Sequence, residues 1–169
     1  METFDSLYEK YAAPSYRVAY LILGDQAEAE DAVQEAFIAA YRGGEGFGAK
    51  SSFATWLYRI VVNRSYDALR RRQREARRLE KAAGYADVIG DSGGGTVIQM
   101  ERADLHLYVR EKISSLGEIY RSVVVLRHFG DRSIKEISQI LKCPEGTVKW
   151  RLHTAYRLLR QELEKDGVR

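Results

Sequence analysis

With 169 residues, 45% of them hydrophobic and 30% charged, the chain can bury enough apolar surface for one domain or two small ones, which excludes wholesale disorder. The net charge of +3 conceals a polarity: residues 1–41 hold eight carboxylates against Lys10 and Arg17, while residues 64–81 hold eight basic side chains against three acidic ones. A single cysteine excludes an internal disulfide framework, no apolar run reaches membrane-spanning length, and the start METFDSLYEK is unlike a secretory signal, so the chain is expected to be soluble and cytoplasmic, without membrane insertion.

The charge polarity points to one surface for a protein partner and another for a polyanion. From Thr3 to Leu23, the residues Phe4, Leu7, Tyr8, Tyr11, Val18, Leu21 and Ile22 recur with a helical rhythm that Pro14 is expected to kink or divide. Gly24-Asp25 reads as a stop followed by a cap, opening a second helix over 25–41. Its predicted core face is Ala29, Ala32, Val33, Ala36, Phe37 and Ala40, and the other face carries Glu28, Asp31, Gln34, Glu35 and Ile38. Three readings compete for this acidic face. Metal binding is disfavoured by the absence of a nearby histidine or a calcium-loop spacing, leaving a solvated face or a docking surface.

Residues 42–52 (RGGEGFGAKSS) form a glycine-rich stretch that lacks the Gly-Lys-Ser/Thr ending of a phosphate loop and follows no strand. A third helix is predicted over 53–72, with Phe53, Trp56, Leu57, Ile60 and Val61 inward and Asn63, Arg64, Tyr66, Asp67 and Arg70 projecting elsewhere. It runs into the basic RRRQREARR stretch, which fits either a solvated helix end or phosphate contact beside a single strand. Residues 85–96 (YADVIGDSGGGT) have no helical rhythm and read as a flexible linker. Residues 97–113 open a second domain with Leu105, Leu107, Val109 and Ile113 apolar. The segment 120–129 (YRSVVVLRHF) has β-branched composition but is expected to be helical from its context.

The C-terminal stretch 133–160 reads as two helices joined by a tight turn. Ile134, Ile137, Ile140 and Leu141 give the first an apolar face, and Ser133 with Glu136 matches a capping box. Pro144 closes that helix and opens the next. In the second helix Val148, Leu152, Ala155 and Leu159 share one face, opposite Lys149, Trp150, His153, Thr154 and Arg157. A basic, aromatic, hydrogen-bonding face of this kind suits a DNA major groove, although a solvated helical hairpin would share the pattern. His106, His128 and His153 are scattered, and no nucleophile–base pair or metal spacing emerges. The expectation is a non-enzymatic protein without cofactor or metal, with Cys143 a turn-side packing residue.

Two stretches carry a family resemblance. GTVKWRLHTAYRLLRQEL resembles the promoter-reading helix of extracytoplasmic-function (ECF) sigma factors of the sigma-70 family, and LGEIYRSVVVLRHFGDRSIKEISQIL resembles the helices before it. FATWLYRIVVNRSYDALRRR resembles the segment of the same family that reads and opens the −10 element, and DQAEAEDAVQEAFIAAY the segment that binds the polymerase clamp. The resemblance implies an all-α protein of two small helical domains, residues 1–77 and 101–169, joined by a flexible linker over 78–100. It implies core RNA polymerase, promoter DNA and an anti-sigma factor as partners. Polymerase contact is implied for Glu28, Asp31, Gln34, Glu35 and Ile38. Contact with the −10 element is implied for Asn63, Arg64, Asp67, Arg70, Arg71 and Arg72. Around the −35 element, Arg127, Ser133 and Lys135 would meet phosphates and Lys149, Trp150, His153 and Thr154 would face bases, with Arg151 and Arg157 supporting. The family often has a small residue where Trp150 stands and Arg where Thr154 stands, which implies an atypical −35 preference. A polymerase-independent helix-turn-helix regulator is the alternative, but it leaves the acidic helix and the Asn63 region unexplained.

Overall fold

The computed structural model describes residues 3–43, 52–84 and 102–167. Most of the glycine-rich stretch 42–52 and all of the 85–96 linker lie outside the described residues. Within them the chain forms seven helices: α1 (Phe4–Leu23), α2 (Gln26–Arg42), α3 (Phe53–Ala83), α4 (Arg102–Ser115), α5 (Glu118–His128), α6 (Ile134–Leu141) and α7 (Glu145–Lys165). The first three pack on one another, as do α5, α6 and α7. Contacts of α3 with α6, and of α1 with α4 and α5, join the two groups.

Short polar side chains start four of the helices by satisfying amides that have no helical partner. Thr3 accepts from the Ser6 amide at 3.2 Å, Asp25 from Glu28 at 2.8 Å, Ser52 from Thr55 at 3.2 Å and Ser133 from Glu136 at 3.1 Å. The predicted box at Ser133 is complete, since the Glu136 carboxylate accepts the Ser133 amide in return at 2.8 Å. Pro144 occupies the cap position of α7, one residue before the first helical turn.

The six predicted core positions of α2 are all buried. Within α5, Val123, Val124 and Val125 are 0–4% exposed, which explains why this β-branched run is helical. Burying a Val side chain contributes about 1.5–3 kcal/mol, more than its helix-propensity penalty of at most about 0.7 kcal/mol.

Four expectations need correction. Helix α1 runs unbroken through Pro14, because the buried Ser15, Val18 and Ala19 that follow anchor the next turn despite the missing amide. Helix α3 does not stop near residue 72, nor does the linker begin at 78. The sequence RRRQREARRLEKAA contains only helix formers, so the helix continues to Ala83 and ends at Gly84 in the left-handed region (φ +66°). In α4, Leu105, Leu107 and Val109 are exposed and Ile113 is buried. Tyr66, expected to project with Asn63, is instead only 3% exposed, and Tyr58 is also fully buried.

Candidate nucleic-acid interface

Helix α7 packs against both α5 and α6 and leaves one long side free. Lys149, Trp150, His153 and Arg157 all lie exposed on that side. Trp150 is 56% exposed, with its ring 6.1 Å from that of Tyr120. Thr154 departs from expectation: it is 5% exposed, so its hydroxyl does not face a base in this conformation. The covered arc of α7 is wider than its apolar stripe because two helices pack on it, and the stripe alone did not reveal this. Tyr156, which sequence reasoning passed over, is exposed, and its hydroxyl lies 2.7 Å from His128 Nε2. Its three-residue spacing from His153 was the available signal. Arg151 is half-buried, its guanidinium 3.8 Å from Cys143 Sγ, which suits a supporting role.

At the start of α6, Ser133 and Lys135 are exposed, as is Arg127 near the end of α5. Arg127 donates to the Arg132 carbonyl at 3.1 Å. Glu136 is partly desolvated, which raises its pKa, but hydrogen bonds from Ser133 and the Arg132 guanidinium prevail and hold the carboxyl below its ordinary value. The turn into the reading helices is therefore tied by a carboxylate that stays ionised.

A second basic surface lies on α3. Asn63, Arg64, Asp67, Arg70 and Arg71 are exposed there. Arg72, grouped with them from the sequence, turns back instead, donating to Glu28 at 2.7 Å and to the Leu23 carbonyl at 2.7 Å. It braces α3 against the junction of α1 and α2. Arg64 lies 3.4 Å from Glu35, so the acidic face of α2 and the basic face of α3 are electrostatically joined. Arg70 bonds the carboxylate of Glu118 on α5. Asn63 lines a cleft of about 230 Å³ with Arg59 on its own helix and Glu118, Lys142 and Arg151 from the C-terminal helices.

On α2, Asp31, Gln34, Glu35 and Ile38 are exposed, and Glu28 is half-buried under Arg72. Beside this face a groove of about 970 Å³ runs between α1 and α2, with Tyr8, Phe37, Ile38 and Tyr41 in its walls. Phe4 and Tyr8 meet Phe37 edge-on, with ring centroids 6.2 and 4.8 Å apart. An acidic rim around aromatic walls suits a protein surface carrying basic and apolar side chains.

The sequence matches two family models in order: Sigma-70 region 2 over residues 7–75 and Sigma-70, region 4 over residues 106–159. It is 34% identical over 170 residues to the ECF RNA polymerase sigma factor SigW of Bacillus subtilis (strain 168), covering 96% of this chain and 89% of that one. The chain belongs to the ECF sigma-70 family of sigma factors. Another relative, the ECF RNA polymerase sigma factor SigL of Mycobacterium tuberculosis (strain H37Rv), is 32% identical over 96% of this chain and 90% of its own. Two solved structures share the fold. One is the sigma factor RpoE in complex with the anti-sigma factor NepR from Bartonella quintana, with TM-score 0.72, 21% identity, and coverage of 95% of this chain and 96% of that one. The other is CnrH in complex with the cytosolic domain of CnrY, with TM-score 0.73, 22% identity, and coverage of 96% and 88%.

The family boundaries set the geometry of this sigma factor in order. Region 2 spans most of α1, all of α2 and about the first three-quarters of α3, so both the acidic face and the Asn63 surface belong to it. Region 4 runs from within α4 to Leu159 in α7, taking in Trp150 and Tyr156. No helix among the described residues is long and apolar enough to cross a membrane.

Proposed function

We propose that this sigma factor binds core RNA polymerase, directs it to promoters with two spaced elements and helps open the DNA at the start of transcription. The observation that carries this reading is the separation of three surfaces of matching chemistry: acidic on α2, basic with Asn63 on α3, and basic-aromatic on α7. Asp31, Gln34, Glu35 and Ile38 dock on polymerase, with Glu28 held in line by Arg72. Asn63 reads an exposed base of the −10 element while Arg64, Arg70 and Arg71 take phosphates. Asp67 lies 3.4 Å from Arg70 and orients it. Extruding a base costs a few kcal/mol, and backbone contacts of this kind help offset it.

At the −35 element α7 enters the major groove, presenting Lys149, Trp150, His153 and Tyr156 to base edges or sugars. Arg157 joins Arg127, Ser133 and Lys135 on the phosphate backbone. The protein works in the cytoplasm, carries no catalytic centre of its own and needs no cofactor. An anti-sigma factor controls it by covering the polymerase-facing and DNA-facing surfaces.

Transcription from a randomised promoter library, with bacterial core polymerase and with or without this protein, tests the reading. Protein-dependent start sites that share two spaced elements are expected. Specific duplex binding by the protein alone, with no protein-dependent initiation, would instead make it a stand-alone regulator.

A further inference from the structure

We infer that the far end of α3 is a further DNA-binding surface, which grips the phosphates of the duplex between the −10 and −35 elements. This rests on the proposed function and adds a contact that neither reading surface supplies. Helix α3 has its last buried residue at Ala68 yet runs on to Ala83, and every residue from Arg70 to Gly84 is exposed. The segment gains little from packing, and the match to Sigma-70 region 2 ends within it, at residue 75.

Its charges are not spread around the helix. At about 100° per residue, Arg70, Arg71, Arg74, Arg77, Arg78 and Lys81 fall within an arc of about 120°, with Glu75 and Glu80 standing on either side. Asn63 lies in the middle of the same arc, so the stripe prolongs the −10 face along one line of the helix. Arg78 is 3.9 Å from Glu75, whereas Arg74, Arg77 and Lys81 pair with no carboxylate among the described residues. Like charges four apart repel, as at Arg70–Arg74, Arg74–Arg78 and Arg77–Lys81, so the stripe costs the free helix stability. The helix dipole favours cations in the last turn, which accounts for Lys81 and not for the arginines before it.

A polyanion offsets that repulsion, and the residues between say which kind. From Arg70 to Ala83 no aromatic side chain is present to stack a single-stranded base. Leu79 is the one large apolar residue there, too little for a helix lying on a membrane. Duplex phosphates remain. At 1.5 Å per residue, Arg70 and Lys81 lie about 10 and 27 Å beyond Asn63, or roughly three and eight base pairs at 3.4 Å each. Chain length sets the direction, because the element centres are about 25 base pairs, roughly 85 Å, apart. With the far end of α3 pointing upstream, about 58 Å remain, within the contour of up to about 60 Å of the 17 residues between Gly84 and α4. Pointing downstream, it would leave about 112 Å. With Asn63 at a base near −10, the stripe therefore covers phosphates at roughly −13 to −18.

The test uses the full-length protein with core polymerase and a labelled duplex promoter found in the library. The variant carries Arg74→Gln, Arg77→Gln, Arg78→Gln and Lys81→Gln, since glutamine is a comparable helix former. Equilibrium binding is measured from about 50 to 200 mM salt. Each lost phosphate contact removes about 0.9 from the slope of log affinity against log salt, so a fall of about 3 is expected, with both element preferences unchanged. Methylphosphonate linkages at those spacer phosphates should weaken binding of the wild type and leave that of the variant unchanged. An unchanged slope, in a variant whose circular dichroism shows full helix content, would overturn the inference. So would an equal deficit of the variant on natural and neutralised spacers, which would assign the stripe to a polymerase surface instead. Initiation by the wild-type protein with core polymerase reads the underlying function independently of both results.

Discussion

Replacing Trp150 by Ala separates a DNA-reading residue from a structural one by magnitude. Truncating a core aromatic to Ala costs about 3–5 kcal/mol, but Trp150 is 56% exposed and its described packing is the tilted ring contact with Tyr120. An aromatic pair contributes about 0.5–1.5 kcal/mol, and the better helix propensity of Ala returns up to about 0.7 kcal/mol. The net loss of stability should be at most about 1.5 kcal/mol, a fall in Tm of only a few degrees for a protein of this size. At the −35 element the same substitution removes a reader, and one base pair's discrimination is worth about 1–3 kcal/mol, or roughly 5- to 150-fold. The assay pairs thermal unfolding with transcription from a library randomised across the −35 element. Preference should flatten at one or two adjacent base pairs while the rest of the logo and the −10 preference persist. A Tm drop above about 10 °C with an unchanged logo would show that Trp150 serves the fold and that the reading face has been misassigned.

Thr154→Ala should leave the −35 logo unchanged because the side chain is buried, whereas Tyr156→Ala should alter −35 binding; the opposite pattern in the same library would reverse the assignment. Ser133→Ala should cost about 0.5–2 kcal/mol in urea unfolding through loss of the cap. Because the Glu136 carboxyl sits below its ordinary value of 4.5 in the folded state, its contribution is present above that pH and is lost as pH falls through the lower folded value. Glu136→Gln should therefore flatten the acid limb of a stability–pH curve, and an unchanged limb would discount the box. Burial pushes the Tyr66 hydroxyl up to about 12 from 10.0, so its neutral form supports stability fully below pH 10 and that support fades as pH rises towards 12. Tyr66→Phe should make the alkaline limb shallower, leaving the contribution of Tyr58, which burial also raises to about 12. Alanine at Glu28, Asp31 and Glu35 together should weaken polymerase binding in a pull-down titration while leaving −35 duplex binding intact; full polymerase affinity would remove the docking role of α2.

Periodicity and caps were legible without coordinates because they are local. The inward face of α2 follows from a 3.6-residue repeat, and the two caps read from the sequence, Asp25 and Ser133, each act on an amide three residues away. The same locality made the Ser133–Glu136 box readable as a pair of letters. Boundaries were less legible where composition and spacing competed. The glycine-rich linker drew its own start back to residue 78, whereas the uninterrupted helix formers after Arg72 carry α3 to Ala83.

Sequence by itself determined the helices, their amphipathic faces and the order of acidic, basic and reading surfaces, since each depends on neighbours within a turn or two. Tertiary structure alone decided which polar residues are spent on the fold. Thr154 is buried because two helices converge on α7, Arg72 is turned inward by Glu28 some 44 residues away, and Tyr66 is buried beneath an α5 that lies beyond the linker. These outcomes depend on contacts between distant segments, which side-chain spacing cannot encode.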